Sequence, residues 1–250
     1  FDLGTTTVVA TLLDISTGTP VAVRSMLNRQ QPFGADVISR ISATMLDPDA
    51  LQRLRTLAAE TLQELADEVC EQGGVPPEQV YEVSLAGNAT MTQLALGIDP
   101  EPVGVAPFIM AAREYPDMPA SELGLRLHPR ARANVFPALG AYVGGDIVAG
   151  LLATGMTRDK RLRLFIDVGT NCEIALGSAE RLVCTAAPAG VPRTRKEAAR
   201  TATRNFAYAR RASVMIELPM RCRIRPGRNP PRVRGQLCEL DRIRPWPGCT

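Results

Sequence analysis

"FDLGTTTVVAT" (residues 1–11) and "IDVGTNCEIAL" (residues 166–176) are one short phrase written twice in a single chain. Laid side by side without a gap, Asp2 falls on Asp167, Leu3 on Val168, Gly4 on Gly169, Thr5 on Thr170, Val9 on Ile174 and Ala10 on Ala175. The surroundings repeat as well. In the first copy an apolar run over 8–13, turn chemistry at Ser16-Thr-Gly-Thr-Pro20 and alternation over 21–27 predict three antiparallel strands within residues 1–27. In the second, strands are predicted over 162–168, 173–176 and 181–185, with turns at Gly169-Thr-Asn171 and Gly177-Ser-Ala-Glu180. The repeated object is therefore a strand meander, not a tetrapeptide.

Asp-x-Gly-Thr at a tight turn has a definite chemistry. Glycine lets the backbone come close to a ligand, while the amides and hydroxyls that follow it offer donors to an anion. The aspartate would repel phosphate directly, but it suits a hydrated Mg²⁺, which takes one or two carboxylates and keeps its waters. Two such turns facing each other would grip a triphosphate from both sides. The candidate phosphate-binding residues are Asp2, Gly4, Thr5, Thr6 and Thr7 in the first turn, and Asp167, Gly169, Thr170 and Asn171 in the second; Asp2 and Asp167 are the candidate metal ligands. One Asp-x-Gly-Thr alone would be an ordinary turn, and the duplication is what raises it. No GxxxxGK[ST] occurs, so this is not a Walker loop.

Helices lie between the copies. Leu51, Leu54, Leu57, Ala58, Leu62, Leu65, Ala66 and Val69 keep a helical stripe, with Asp47 and Asp49 before it and Gly73-Gly74 after it. Residues 81–85 read as a strand running into Gly87-Asn-Ala-Thr and a short helix, and 144–152 as another helix. Strands alternating with helices predict an α/β domain. Asn88 and Thr90 could reach a cleft or form a helix cap, and Asn28, Phe33 and Asp36 could shape a wall or simply start a helix.

Composition narrows the class. With 45% apolar and 22% charged residues the 250-residue chain reads as soluble and globular, and no apolar run reaches the ~20 residues that span a bilayer, so a cytoplasmic location without membrane attachment is expected. Opening at Phe1 rather than Met, directly on a strand, suggests a piece of a longer protein. Six scattered cysteines without a CxxC, and one histidine, His128, predict apolar filler and a loop residue rather than a metal centre.

The phrase pair resembles the actin, sugar kinase and Hsp70 ATPase superfamily, with 2–7 as phosphate-1 loop and 167–171 as phosphate-2 loop. The helix preceding phosphate-2 in that superfamily would be 144–152, with Gly144 and Gly145 at the cleft and Asp146 as the catalytic carboxylate. "NRQQPFGADVISRI" (28–41), "LAGNATMTQLALGI" (85–98), "GAYVGGDIVAGLLATGM" (140–156) and "FIDVGTNCEIALG" (165–177) are similar, more narrowly, to the reductive activators of corrinoid proteins, although Cys172 stands where that family usually has glycine. The resemblance implies an actin-like (ribonuclease H-like) fold, with a first subdomain over 1–160 and the start of a second over 161–190. It implies ATP and Mg²⁺ as ligands and a corrinoid protein of a methyltransferase system as partner. It also implies ATP-coupled reduction of Co(II) to Co(I), with a [2Fe-2S] cluster in a ferredoxin-like domain outside this chain. Self-association is left open. A small-molecule kinase is the rival enzyme, and a non-catalytic adaptor the rival from another class.

Residues 191–250 obey other rules. From Arg193 onward there are 15 Lys or Arg against 4 Asp or Glu, whereas the preceding residues carry 14 against 22. Such an Arg/Pro-rich tail is expected to be disordered or to arise from a shifted reading frame of GC-rich DNA, the shifted frame being favoured and a nucleic-acid-binding tail coming second to it, with a nucleic-acid partner not expected. "GRNPPR" (227–232) faintly resembles the family's lead-in to its adenosine segment. The family's adenosine-holding glycine segments do not follow residue 190, so this chain's own ATPase activity is expected to be impaired.

Overall fold

Gly4 ends the first strand after two residues, and the chain turns straight back. β1 (Asp2–Leu3), β2 (Thr7–Asp14) and β3 (Thr19–Leu27) form the predicted antiparallel meander, with Leu3 opposite Val8 and Val9 opposite Ser25. This computed structural model describes residues 1–169, 171–188 and 216–218, and the chain divides into two units, Phe1–Gly150 and Leu151–Thr250.

In the first unit β1 also pairs in parallel with β4 (Glu82–Gly87), Asp2 opposite Ala86. A parallel pair needs a long crossover. It is supplied by α1 (Val37–Leu46) and α2 (Ala50–Gly73). Beyond β4 come α3 (Ala89–Leu96), the single turn α4 (Glu101–Gly104), β5 (Met118–Pro119) and β6 (Arg132–Val135). The sheet order is β3-β2-β1-β4-β6-β5, with β6 parallel to β4.

α2 builds the core. Its stripe of Leu54, Ala58, Leu62, Leu65, Ala66 and Val69 is buried with Leu3, Val8, Ala10 and Ala22 from the meander, and with Met91, Leu94 and Ala95 from α3. Each fully buried Leu contributes roughly 1.5–3 kcal/mol relative to exposure. The helix stops where Gly74, at φ 63°, donates its amide back to Cys70 and Glu71 carbonyls, a left-handed geometry that favours glycine.

α5 (Gly145–Ala153) contains the division between the units, after Gly150. The second unit holds β7 (Arg163–Val168), β8 (Asn171–Gly177) and β9 (Leu182–Pro188), again an antiparallel meander, with β10 (Ile216–Leu218) added to β9. β10 lies within the 191–250 tail; the remainder of that tail, including 227–232, lies outside the described residues.

The two copies are alike in topology but differ in register by one residue. In the first, Asp2 faces Val9 and Leu3 faces Val8; in the second, Asp167 faces Glu173 and Val168 faces Cys172. The second turn is one residue shorter. Cys172 therefore occupies the place of Val8 and Ile174 that of Ala10, and all four are buried. The ungapped reading, which set Ile174 on Val9 and Ala175 on Ala10, is corrected by one position beyond the turn. Cys172 is accordingly a buried residue of β8.

Among the described residues no helix is long and apolar enough to cross a membrane.

Candidate functional site

The first turn is held from behind. Asn28, just past β3, donates from Nδ2 to the Gly4 carbonyl (2.9 Å) and from its backbone amide to the Thr6 carbonyl (2.8 Å). Arg40 of α1 donates from Nη2 to the carbonyl of Thr5 (2.6 Å). Three successive carbonyls thus point into the protein. In a trans peptide the N–H points opposite to its C=O, so the amides of Thr5, Thr6 and Thr7 are turned the other way. Successive outward amides form a concavity suited to an anion. Thr6 and Thr7 are exposed, while Thr5 is buried at 7%.

The glycine is required by space. A Cβ at Gly4 would lie 2.3 Å from the Thr7 carbonyl oxygen. Asp2 is exposed at the end of β1, beside this turn.

Two further elements meet the turn. Asn88 caps α3, its Oδ1 accepting from Met91 N at 2.9 Å, while its Nδ2 donates to Thr5 Oγ1 at 3.0 Å. The cap role read from the sequence is present, and the same side chain also bonds the first turn. Gly144 packs on this junction, where a Cβ would come within 2.5 Å of Asn88 Cα and 2.7 Å of the Gly87 carbonyl oxygen. A Cβ on Gly145 would meet the Phe136 carbonyl oxygen at 2.7 Å. These contacts set the start of α5 against Asn88, whose side chain reaches the first turn. Asp146 follows in the first turn of α5, half-buried, with Oδ1 accepting from Ile147 N at 2.8 Å. Asp36 caps α1 by accepting from Ser39 N at 2.8 Å, which matches the helix-start reading of that stretch.

In the second unit Asp167 is half-buried near the end of β7, Gly169 is exposed, and Asn171 opens β8. Thr170 and the side chain of Asn171 lie outside the described residues.

No three His, Cys, Asp or Glu side chains converge to hold a metal among the described residues. Mg²⁺ is usually bound by only one or two carboxylates and completed by phosphate oxygens and water, so a carboxylate such as the exposed Asp2 is of the right type. The described cysteines are single buried thiols; burial pushes Cys70 and Cys172 up and Cys184 up to about 12. An open cavity of about 520 Å³ runs along α2, but Glu60, Glu64, Asp67, Glu68 and Glu71 line it, a poor setting for phosphate.

Arg40 and Gln30 escaped sequence reading. Both are fully buried, although their residue types predict exposure. The signal lay in position: Arg40 sits beside Ile41, on the inward side of α1.

A mixed α/β chain with this strand order and this pair of Asp-x-Gly-Thr meanders has the build of an actin-like ATPase. Residues 1–159 match the family described as the RACo middle region, and residues 161–192 match the C-terminal domain of RACo, the ASKHA domain. The chain belongs to the RACo family. It is 39% identical over 181 residues to the corrinoid activation enzyme RamQ of Eubacterium limosum, covering 72% of this chain and 30% of that protein. A solved structure described as a reductive activator for corrinoid, iron-sulfur protein is also 39% identical, with a TM-score of 0.74 over 76% of this chain and 30% of that one. The chain thus spans less than a third of the length of these relatives.

Proposed function

We propose that this chain supplies the phosphate-gripping part of an ATP-dependent reductive activator of corrinoid proteins. The observation that carries the reading is the first turn, whose three carbonyls are bonded from behind so that its amides are turned the other way, toward an anion. In this reading Thr5, Thr6 and Thr7 bind phosphate oxygens through their amides and hydroxyls, and Gly4 allows the close approach. Gly169, Thr170 and Asn171 do the same in the second turn. Asp2 and Asp167 would hold Mg²⁺, which would supply charge neutralisation for the phosphates. Asp146 positions or deprotonates the attacking water, while Gly144 lets the helix start pack against Asn88 beside the turn and Gly145 lets it pack on Phe136. The whole protein couples ATP binding or hydrolysis to reduction of Co(II) to Co(I) in a partner corrinoid protein. Membership of the RACo family and the likeness to RamQ support this reading.

The test uses the complete protein that contains this chain, with its corrinoid protein, a reductant and Mg-ATP, following the Co(I) absorption. Asp2→Ala and Asp167→Ala should each weaken Mg-ATP binding roughly tenfold, about 1.4 kcal/mol, and slow Co(I) formation. Undiminished binding in both variants would overturn the metal assignment. ATP turnover that rose with a sugar and ignored corrinoid protein would make it a small-molecule kinase instead.

A further inference from the structure

Behind the first turn lies a guanidinium with no exposed surface. Arg40 is 0% exposed. Besides Thr5 O, it donates from Nε to the Gly34 carbonyl (3.1 Å) and from Nη1 to Gln30 Oε1 (3.1 Å) and Met91 Sδ (2.9 Å). Gln30 is fixed in turn, its Nε2 donating to Leu54 O of α2 (2.8 Å) and its backbone amide to Asn28 Oδ1 (2.9 Å). α1, α2, α3 and the end of β3 therefore all bear on one peptide of the turn.

The acceptors share a property: all are neutral. A cation taken out of water ordinarily meets a carboxylate, because burying an uncompensated charge costs several kcal/mol. Asp36 is the acid that acts on Arg40, and it is an exposed cap residue already bonded to the Ser39 amide. Burial lowers the Arg40 guanidinium to about 10, so it is still protonated at neutral pH. A purely structural tie to a carbonyl could be made by a neutral amide, as Asn28 makes to Gly4. The fold instead places a full charge there among neutral acceptors, with its nearest acting acid out in solvent, directly beneath the outward amides.

We propose that Arg40 is a positioning residue for anion binding at the Asp2–Thr7 turn. It fixes the Thr5–Thr6 peptide with the Thr6 amide toward the ligand, and its charge is completed by the bound phosphate. The inference rests on the phosphate reading of the turn and adds to it a residue that never touches the ligand. Gln30 and Met91 hold the guanidinium so that it serves Thr5 rather than turning toward Asp36.

The experiment uses the full 250-residue chain labelled with ¹⁵N. Inorganic tripolyphosphate, pyrophosphate and orthophosphate are titrated with Mg²⁺, and the Thr5 and Thr6 amide resonances are followed. Arg40→Lys and Arg40→Met are compared with the unaltered chain, each checked for an intact fold by thermal denaturation. Arg40→Met should lose roughly tenfold or more in tripolyphosphate affinity, with the loss shrinking from tripolyphosphate to orthophosphate. Its Thr6 amide should be shifted already without ligand. Arg40→Lys, which keeps the charge but not the fork, should recover part of the affinity. An equal loss for all three anions, unrelieved by lysine, would reduce Arg40 to a structural residue and overturn the inference. So would undiminished tripolyphosphate binding by a folded Arg40→Met, with the phosphate reading left standing. If the unaltered chain bound no polyphosphate at the Thr5 and Thr6 amides, the phosphate reading would fall, and this inference with it.

Discussion

A methyl group at position 4 would sit 2.3 Å from a backbone oxygen, and no rotamer change can relieve that. Gly4→Ala should therefore open the turn, costing about 1–3 kcal/mol of stability and moving the Thr5 and Thr6 amides. The check is a urea denaturation midpoint measured beside a tripolyphosphate titration; an unchanged pair of values would mean that the turn tolerates opening. Asp-Leu-Gly-Thr was legible as a turn because glycine and threonine announce one. What holds it was not. Arg40 lies in a helix, and an isolated arginine in a helical pattern reads as solvent-facing. Only the fold brings it to within 2.6 Å of a residue 35 positions earlier. Asn28 and Asn88 were visible as candidates, but their bonds to Gly4 O and Thr5 Oγ1 depend on register and on the parallel β1–β4 pair, which no local pattern encodes.

Elements were more legible than contacts. α2 follows from eight apolar residues at helical spacing and a Gly-Gly stop, and the structure ends it at Gly73. Leu62→Ala on that stripe should cost about 2–5 kcal/mol, read as a lower denaturation midpoint. Helix starts can be tested without touching the core. Asn88→Ser keeps a capping oxygen but is too short to reach Thr5 Oγ1. Stability should fall by only a few tenths of a kcal/mol, while tripolyphosphate binding weakens; equal loss of both would tie the turn to the cap alone. The cap of α1 carries a pH signature. Bonds from the Ser39 amide and hydroxyl hold Asp36 below its ordinary 3.8, so its contribution is complete above pH 3.8 and is lost as pH falls through the lower folded value. Asparagine caps equally well and does not titrate. The stability difference between the wild type and Asp36→Asn should therefore shrink below pH 3.8, as measured by urea midpoints from pH 6 to pH 3.

Across the whole molecule, buried thiols report on both units. Cys70 lies in the first, and Cys172 and Cys184 in the second, each 3% exposed or less. Burial raises all three, Cys184 to about 12, so iodoacetamide at pH 8 should leave them unmodified in the folded chain and label them in urea, as peptide mass spectrometry would show. Rapid native labelling of Cys172 would mean that it is not held in the buried strand. The one-residue difference between the meanders has a practical meaning for anyone recombining them. A strand slipped by one position turns its apolar set toward solvent. Grafting the second phrase into the first site on the strength of its letters would therefore point Ile174 outward, where Val9 stands only partly covered, and send Glu173 into the core position of Val8. A working chimaera has to add one residue to the transplanted turn, because the two phrases are cognate in spelling but not interchangeable as parts.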